Sequence, residues 1–246
     1  MNELVLREDA GGVAYLTLNR PEQLNALSPS LFVELRKHIE DIASTPDSIG
    51  CVILRGAGRS FSAGNDIKAI QSGDRAPSAH FQAETIDALQ SLPQPVIAAV
   101  KGHCYTGALE LALGCDFIVA AESARFADTH GKWSMTPTWG MSQRLPRRIG
   151  AARAKQMMFT GTPVSGAEAV SLGLANVCVP DDELDATVAA MAATIVANSW
   201  HTLRADKSLV NEGQAYALRE GLAYERRTSP GAGPDMAERL KSFGAR

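Results

Sequence analysis

The sequence predicts an α/β fold from three features: short apolar runs of strand length, helical apolar periodicity between them, and a change to mostly helical patterning beyond Arg144. Val13-Ala14-Tyr15-Leu16-Thr17-Leu18 alternates as a strand, and Asn19-Arg20-Pro21 ends it because proline brings no N–H to the ladder. Ser28 offers an N-cap and Pro29 a first helical residue. Leu31, Phe32, Leu35, Ile39 and Ile42 then recur at helical spacing, which places a helix over about 29–43. Cys51-Val52-Ile53-Leu54 reads as a buried strand, and 78–91 as the next helix. Val96-Ile97-Ala98-Ala99-Val100 is a further strand; residues 107–113 form a helix leading into the strand Phe117-Ile118-Val119-Ala120. Later, Ser165-x-x-Glu168 is a capping box, Gly173 a helix stop, and Asp181-Asp182 opens a long Ala/Val/Met-rich segment. Segments 13–45, 51–91 and 96–121 each pair strand with helix, a loosely repeated β-β-α pattern without a convincing sequence repeat.

The chain has 246 residues, 45% hydrophobic and 21% charged, enough for one large domain or a core with a small appendage. Its 24 basic and 27 acidic residues nearly balance, and no basic run interleaves with aromatics, so no nucleic-acid surface is expected. An anionic ligand would need a local basic rim. The opening stretch lacks the charged-then-apolar pattern of a signal peptide, and Gly, Pro or charge interrupts each apolar stretch before about 18 residues. A cytoplasmic protein with no membrane partner is the expectation. Cys51, Cys104, Cys115 and Cys178 are widely spaced, without a C-x-x-C or nearby paired His, and read as reduced thiols rather than metal or redox ligands.

Two stretches carry features that a purely structural chain does not need. Gly58-Arg59-Ser60-Phe61-Ser62-Ala63-Gly64-Asn65-Asp66-Ile67-Lys68 follows a strand; small residues let a ligand approach the backbone, and a turn into a helix leaves N–H groups free to donate. In Val100-Lys101-Gly102-His103-Cys104-Tyr105-Thr106-Gly107-Ala108-Leu109-Glu110-Leu111 a strand again gives way to a Gly-containing helix start, with a carboxylate in its first turn. Gly56-Ala57-Gly58 is not a full dinucleotide fingerprint, and a first-turn Glu also suits the helix dipole.

Together with Leu18-Asn19-Arg20-Pro21-Glu22-x-Leu24-Asn25-Ala26-Leu27, Gly107-x-x-Glu110-Leu111-Ala112-x-x-Cys115-Asp116, Gln143-Arg144-Leu145-Pro146-Arg147 and Leu172-Gly173-Leu174-Ala175, these stretches resemble the crotonase superfamily of enoyl-CoA hydratases and isomerases, in the family's order and over nearly the whole chain. The resemblance implies a crotonase-like spiral of β-β-α turns over 1–190 and a C-terminal helical region over 191–246 that packs homotrimers, often paired into hexamers. It implies an acyl-CoA substrate and no metal or other cofactor, CoA entering as part of the thioester. The amides of Asn65 and Gly107 would form an oxyanion hole, Glu110 would be the acid/base, and Ala63, Asn65, Asp66, Ile67, Lys68 and Gly107 would contact the acyl-CoA. Removing a proton alpha to a thioester, or adding water across its alkene, puts negative charge on the carbonyl oxygen, which aimed N–H donors stabilise. Lys68 has two readings, facing a phosphate or facing solvent; so have Lys207, Arg226 and Arg227, which either meet CoA phosphates of a neighbouring subunit or line a solvated helix face.

The chain departs from the pattern at one position that matters. Family hydratases carry a second Glu in a stretch Ala-x-Phe-x-x-Pro-Glu, and a gap-free count from Ala124-Arg125-Phe126 puts His130 there. A His handles protons near neutral pH, so Glu110 can activate water while His130 serves the alpha carbon. Alternatively His130 merely packs, or Asp128 supplies the carboxylate after a local backbone shift. Thr136-Pro137-Thr138-Trp139-Gly140-Met141 replaces a Gly-rich run and adds bulk near the acyl end. His38, His80 and His201 read as packing or surface residues, and His103 has no readable direction. The leading reading is an enoyl-CoA hydratase or isomerase. An acyl-CoA decarboxylase and a silent acyl-CoA-binding protein are the rivals, and a Rossmann dehydrogenase is disfavoured by the glycine spacing and the missing ribose acid.

Overall fold

The runs 51–54, 96–100 and 117–120 are apolar at every position, a pattern stable only in a sheet covered on both faces. The computed structural model, which describes residues 3–241 and 243, contains such a sheet. Its elements are β1 (Val5–Ala10), β2 (Val13–Leu18), α1 (Pro29–Ser44), β3 (Cys51–Gly56), α2 (Ile67–Gln71), α3 (Phe81–Gln90), β4 (Val96–Val100), β5 (His103–Tyr105), α4 (Gly107–Leu113), β6 (Phe117–Ala121), β7 (Arg125–Ala127), α5 (Met141–Ile149), α6 (Ala151–Thr160), β8 (Val164–Ser165), α7 (Gly166–Ser171), β9 (Val177–Val179), α8 (Leu184–Val196), α9 (Trp200–Gly213), α10 (Leu218–Thr228) and α11 (Met236–Lys241). The large sheet runs β1-β2-β3-β4-β6-β9, parallel except for the β1/β2 hairpin, and a small sheet runs β5-β7-β8.

Successive side chains of a strand point to opposite faces, and the core divides accordingly. Leu16, Leu18, Val52, Leu54, Val96, Ala98, Val100, Ile118 and Ala120 join the main core with α1, α3 and α4. Their sequence neighbours Val13, Cys51, Ile53, Ile97, Ala99, Val119 and Ala121 form a second core under Leu184, Val188 and Ala192 of α8. The boundary expected at residue 190 therefore lies inside a helix that covers the sheet. Helix α1 starts as its sequence dictates, with Ser28 Oγ accepting from Leu31 N–H at 3.2 Å and Pro29 at the first position. The Ser165/Glu168 capping box forms at α7. Burial pushes the Cys51 and Cys115 thiols up to about 12, so neither is a thiolate at neutral pH.

Buried Asn25 holds the loops beside the small sheet. It sits at φ 54°, accepts from Arg20 N–H at 2.8 Å, and donates to the carbonyls of Ala57 at 2.8 Å and Ser60 at 2.7 Å. Arg20 reaches on to Asp66 at 2.7 Å, and Asp66 caps α2 by accepting from Ala69 N–H at 2.9 Å. Lys207 of α9 is neither solvated nor free to meet a phosphate. Its side chain is buried, donating to Gln94 O at 2.9 Å and pairing with Asp116 at 2.7 Å. Among the described residues no helix is long and apolar enough to cross a membrane.

Asn25→Ala strands three backbone groups, and at roughly 1 kcal/mol for each lost bond the expected destabilisation is about 2–4 kcal/mol, read as a lower urea midpoint with an unchanged m-value.

Candidate active site

Three chain crossings meet at the small sheet. Ser62 bridges Cys104 in parallel, and β5 pairs with β7 in parallel, Cys104 opposite Phe126. The residues immediately after each crossing, 63–66, 106–110 and 128–130, therefore emerge side by side at the carboxyl ends of neighbouring strands, the usual place for a ligand in α/β sheets.

From the first crossing comes Gly64 at φ +99°, where a Cβ would lie 2.6 Å from Tyr105 O and 3.7 Å from Gly107 N. Glycine there brings Asn65 against the start of α4. Among the described residues, the amide N–H groups of Asn65 and Gly107 donate to no protein acceptor. The second crossing turns at Thr106, a β-branched residue held at φ 54°, ψ −110°, a conformation costing on the order of 1–3 kcal/mol. Thr106 is kept there by N–H donation to Ala127 O at 2.8 Å and by a 2.6 Å hydroxyl contact with Thr129, and it aims the Gly107 amide. Nothing in the residue pattern foretells this Thr106/Thr129 brace.

Glu110, in the first turn of α4 and 1% exposed, commits one carboxylate oxygen, Oε1, to the amides of Trp139 at 2.9 Å and Met141 at 3.0 Å. Its other oxygen, Oε2, faces His130 Nε2 across 3.8 Å, too long for a direct hydrogen bond. His130 Nδ1 lies 2.6 Å from Oδ1 of buried Asp128, which also accepts from the His130 amide at 3.0 Å. Asp128 thus stands behind the imidazole and does not take its place opposite Glu110. The sequence reading treated it as a substitute carboxylate rather than as the group that fixes the ring.

Burial pushes the Glu110 carboxyl up, more than the Met141 amide, the charge of His130 and the Trp139 amide pull it down. Burial works to lower His130, but the hydrogen bond and charge of Asp128, helped by Glu110, outweigh it, so the imidazole titrates above its usual 6.5. Asn65, Gly107, Glu110 and His130 are brought together. Ala63 is partly buried beside them, Ile67 and Lys68 are exposed on α2, and Asp66 spends its carboxylate on Arg20 and the α2 cap. His103 points away, Nδ1 at 3.0 Å from Ser60 Oγ, and His38 and His201 bind the carbonyls of Val5 and Gly231. Met141 belongs to the core, whereas Trp139 packs at the site. Among the described residues no cluster of three or more His, Cys, Asp or Glu could hold a metal.

The sequence profile of the enoyl-CoA hydratase/isomerase family matches residues 8–234. The chain belongs to the enoyl-CoA hydratase/isomerase family. It is 37% identical over 246 residues to a protein of Mycobacterium tuberculosis named as a probable enoyl-CoA hydratase, covering 98% of this chain and 95% of that one. It also superposes on the enoyl-CoA hydratase of Bacillus anthracis with a TM-score of 0.92 at 34% identity, covering 98% and 96% of the two chains. A monofunctional enoyl-CoA isomerase from M. smegmatis superposes with a TM-score of 0.78 at 37% identity, covering 89% and 98%. The fold of this family member is thus shared by solved structures named as a hydratase and as an isomerase.

In Asp128→Asn the carboxylate's charge is gone while burial, which lowers the imidazole, remains. The His130 midpoint followed by NMR is therefore expected to fall from above 6.5 in the parent protein. A group with a raised folded-state pKa stabilises fully below its unfolded value and loses that contribution as pH rises through the folded one. The parent protein should accordingly lose stability to urea between slightly acidic and alkaline pH, and Asp128→Asn should flatten that loss.

Proposed function

We propose that the chain is an enoyl-CoA hydratase, and the observation that carries this reading is the convergence of Glu110 Oε2 and His130 Nε2 on one point, 3.8 Å apart. The thioester carbonyl oxygen sits on the Asn65 and Gly107 amides, each worth about 3 kcal/mol to the developing enolate by comparison with other oxyanion holes. Glu110, as carboxylate, takes a proton from water as its oxygen attacks the beta carbon. His130, as imidazolium, gives a proton to the alpha carbon. Neutral His130 then recovers its proton from protonated Glu110 through one intervening water, which leaves water added and both groups reset. Asp128 supports this by holding Nδ1, so that Nε2 is the nitrogen presented to substrate.

In this reading CoA lies along Ala63 to Lys68, with Asn65, Asp66, Ile67 and Gly107 contributing mainly backbone and apolar contacts. Every proton in the scheme is held by a side chain, without a cofactor. We read the strand, short strand and helix passages as turns of the family's spiral. The exposed Leu218, Leu222 and Leu240 of α10 and α11 belong in this reading to a homotrimer contact, and the protein to the cytoplasm.

With crotonyl-CoA, loss of the conjugated thioester's ultraviolet absorbance is expected, and Glu110→Gln should lower kcat by about 10²–10⁴. An inert crotonyl-CoA with turnover of 3-enoyl-CoA would make the enzyme an isomerase, with Glu110 as sole shuttle. The plot of kcat/KM against pH should fall on the acid side as Glu110 is protonated and on the alkaline side as His130 loses its proton, Asp128→Asn moving the alkaline limb down because the hydrogen bond and charge that raise the imidazole are lost. Gly107→Ala should cost far more activity than Asn65→Ala, because Asn65 acts through its backbone whereas a Cβ on Gly107 would lie 2.4 Å from Trp139 Cζ3.

A further inference from the structure

The indole of Trp139 occupies a position that nothing in the acid/base chemistry requires. Its ring lies so close over Gly107 that a Cβ there would fall 2.4 Å from Cζ3 and 2.9 Å from Cε3, directly beside the amide assigned to the thioester oxygen. Its backbone is fixed on both sides: Trp139 N–H donates to Glu110 Oε1 at 2.9 Å, and Trp139 O accepts from Arg144 Nη1 at 2.8 Å. Arg144 is itself anchored on α3, to Gln90 Oε1 at 2.8 Å and Asp87 Oδ1 at 2.5 Å. The ring packs edge-on to buried Phe32, centroids 5.1 Å apart at 73°, an arrangement favourable for aromatic pairs. Beyond Trp139 lies a cavity of about 410 Å³ between α3 and α5, lined by Ala83, Asp87 and Gln90 on one side and Gln143, Arg144 and Arg147 on the other. Trp139 lines that cavity as well, with Thr138 and Gly140, and its ring also packs over Gly107 at the site.

We propose that Trp139 is the end wall of the acyl chamber, restricting the enzyme to short-chain acyl thioesters and sealing it from the cavity between α3 and α5. The proposal rests on the acyl-CoA reading above and adds the size of the acyl group. With the carbonyl on the Asn65 and Gly107 amides and the alpha and beta carbons between Glu110 and His130, a chain growing away from the 63–68 loop meets the indole. The ring is held by its neighbours at backbone and side chain, so it does not yield as a Met or Leu wall would. Without it, the same path continues into the cavity.

The test is calorimetric binding of the saturated, unreactive thioesters butanoyl-CoA and octanoyl-CoA. Wild-type protein is expected to bind octanoyl-CoA at least about 10-fold more weakly than butanoyl-CoA. Trp139→Ala should shift that ratio at least about 10-fold toward octanoyl-CoA, since each newly buried methylene can add roughly 4-fold in affinity; Trp139→Phe should keep the wild-type order. Wild-type affinity that climbs with chain length overturns the wall while leaving the acyl-CoA reading intact, and needs no folded variant to be seen. A Trp139→Ala ratio equal to wild type also overturns it. Wild-type protein that binds neither thioester overturns the acyl-CoA reading and the wall with it.

Discussion

The register of the small sheet is the constraint on which the site depends. Ser62 opposite Cys104 and Cys104 opposite Phe126 are few contacts, yet they align three crossings that are distant in sequence. A slip of one residue at either pair would turn side chains to the other face and separate the Asn65 and Gly107 amides from each other and from His130. The large sheet has the opposite character. Its strands are buried on both faces and held by α1 and α3 on one side and α8 on the other, so it tolerates little but positions nothing chemical by itself. It serves as the rigid base from which short, irregular strands carry the reacting groups.

Electrostatics at the site work by alternation. A carboxylate, an imidazole and a second carboxylate stand in line, Asp128, His130 and Glu110, in a region closed to water on most sides. Burial alone would drive His130 and Glu110 toward their neutral forms. Opposed charges on both flanks of the imidazole reverse that for His130, whereas Glu110, with burial dominant, is left easier to protonate than a free carboxylate. The upward shift of Glu110 brings it nearer the imidazole in proton affinity, and the upward shift of His130 keeps the ring protonated for donation. The strained backbone of Thr106 belongs to the same economy of position: a costly turn next to Gly107 persists because the Ala127 carbonyl and the Thr129 hydroxyl over-determine it.

The large sheet was legible in the sequence because strands apolar on every residue leave few alternatives, and α1 because its cap, proline and periodicity agree. Strand β1 was not, since only Val5 of its six residues is buried and the rest read as a polar terminus. Helix α2, five residues without a buried side chain, gave no periodicity to find, and the helix expected over 78–91 occupies Phe81–Gln90. The small sheet is built of strands too short to carry a pattern. For the site, the ordered motifs led to Asn65, Gly107 and Glu110, and a gap-free count led to His130. Which way Asp128 pointed depended on the turn through Thr129 that joins it to His130, a matter of backbone angles that no residue type there dictates. The Asn19-Arg20-Pro21 segment read as a strand end and as part of a family motif, but its structural work, bracing with Asn25 the loop that carries Asn65, was not legible.

The pairing of Lys207 with Asp116 also says something about how this chain is made. Asp116 also accepts from Val96 N–H at the foot of β4, and Lys207 also caps the Gln94 carbonyl there, so the start of a central strand is finished by a residue 91 positions beyond its ionic partner. On the ribosome, everything through Ala175 that forms the main core can emerge and collapse while the foot of β4 still waits for α9. In order of synthesis the α8 cover of the second hydrophobic layer and the Lys207 contact at the foot of β4 both come after the residues of the main core.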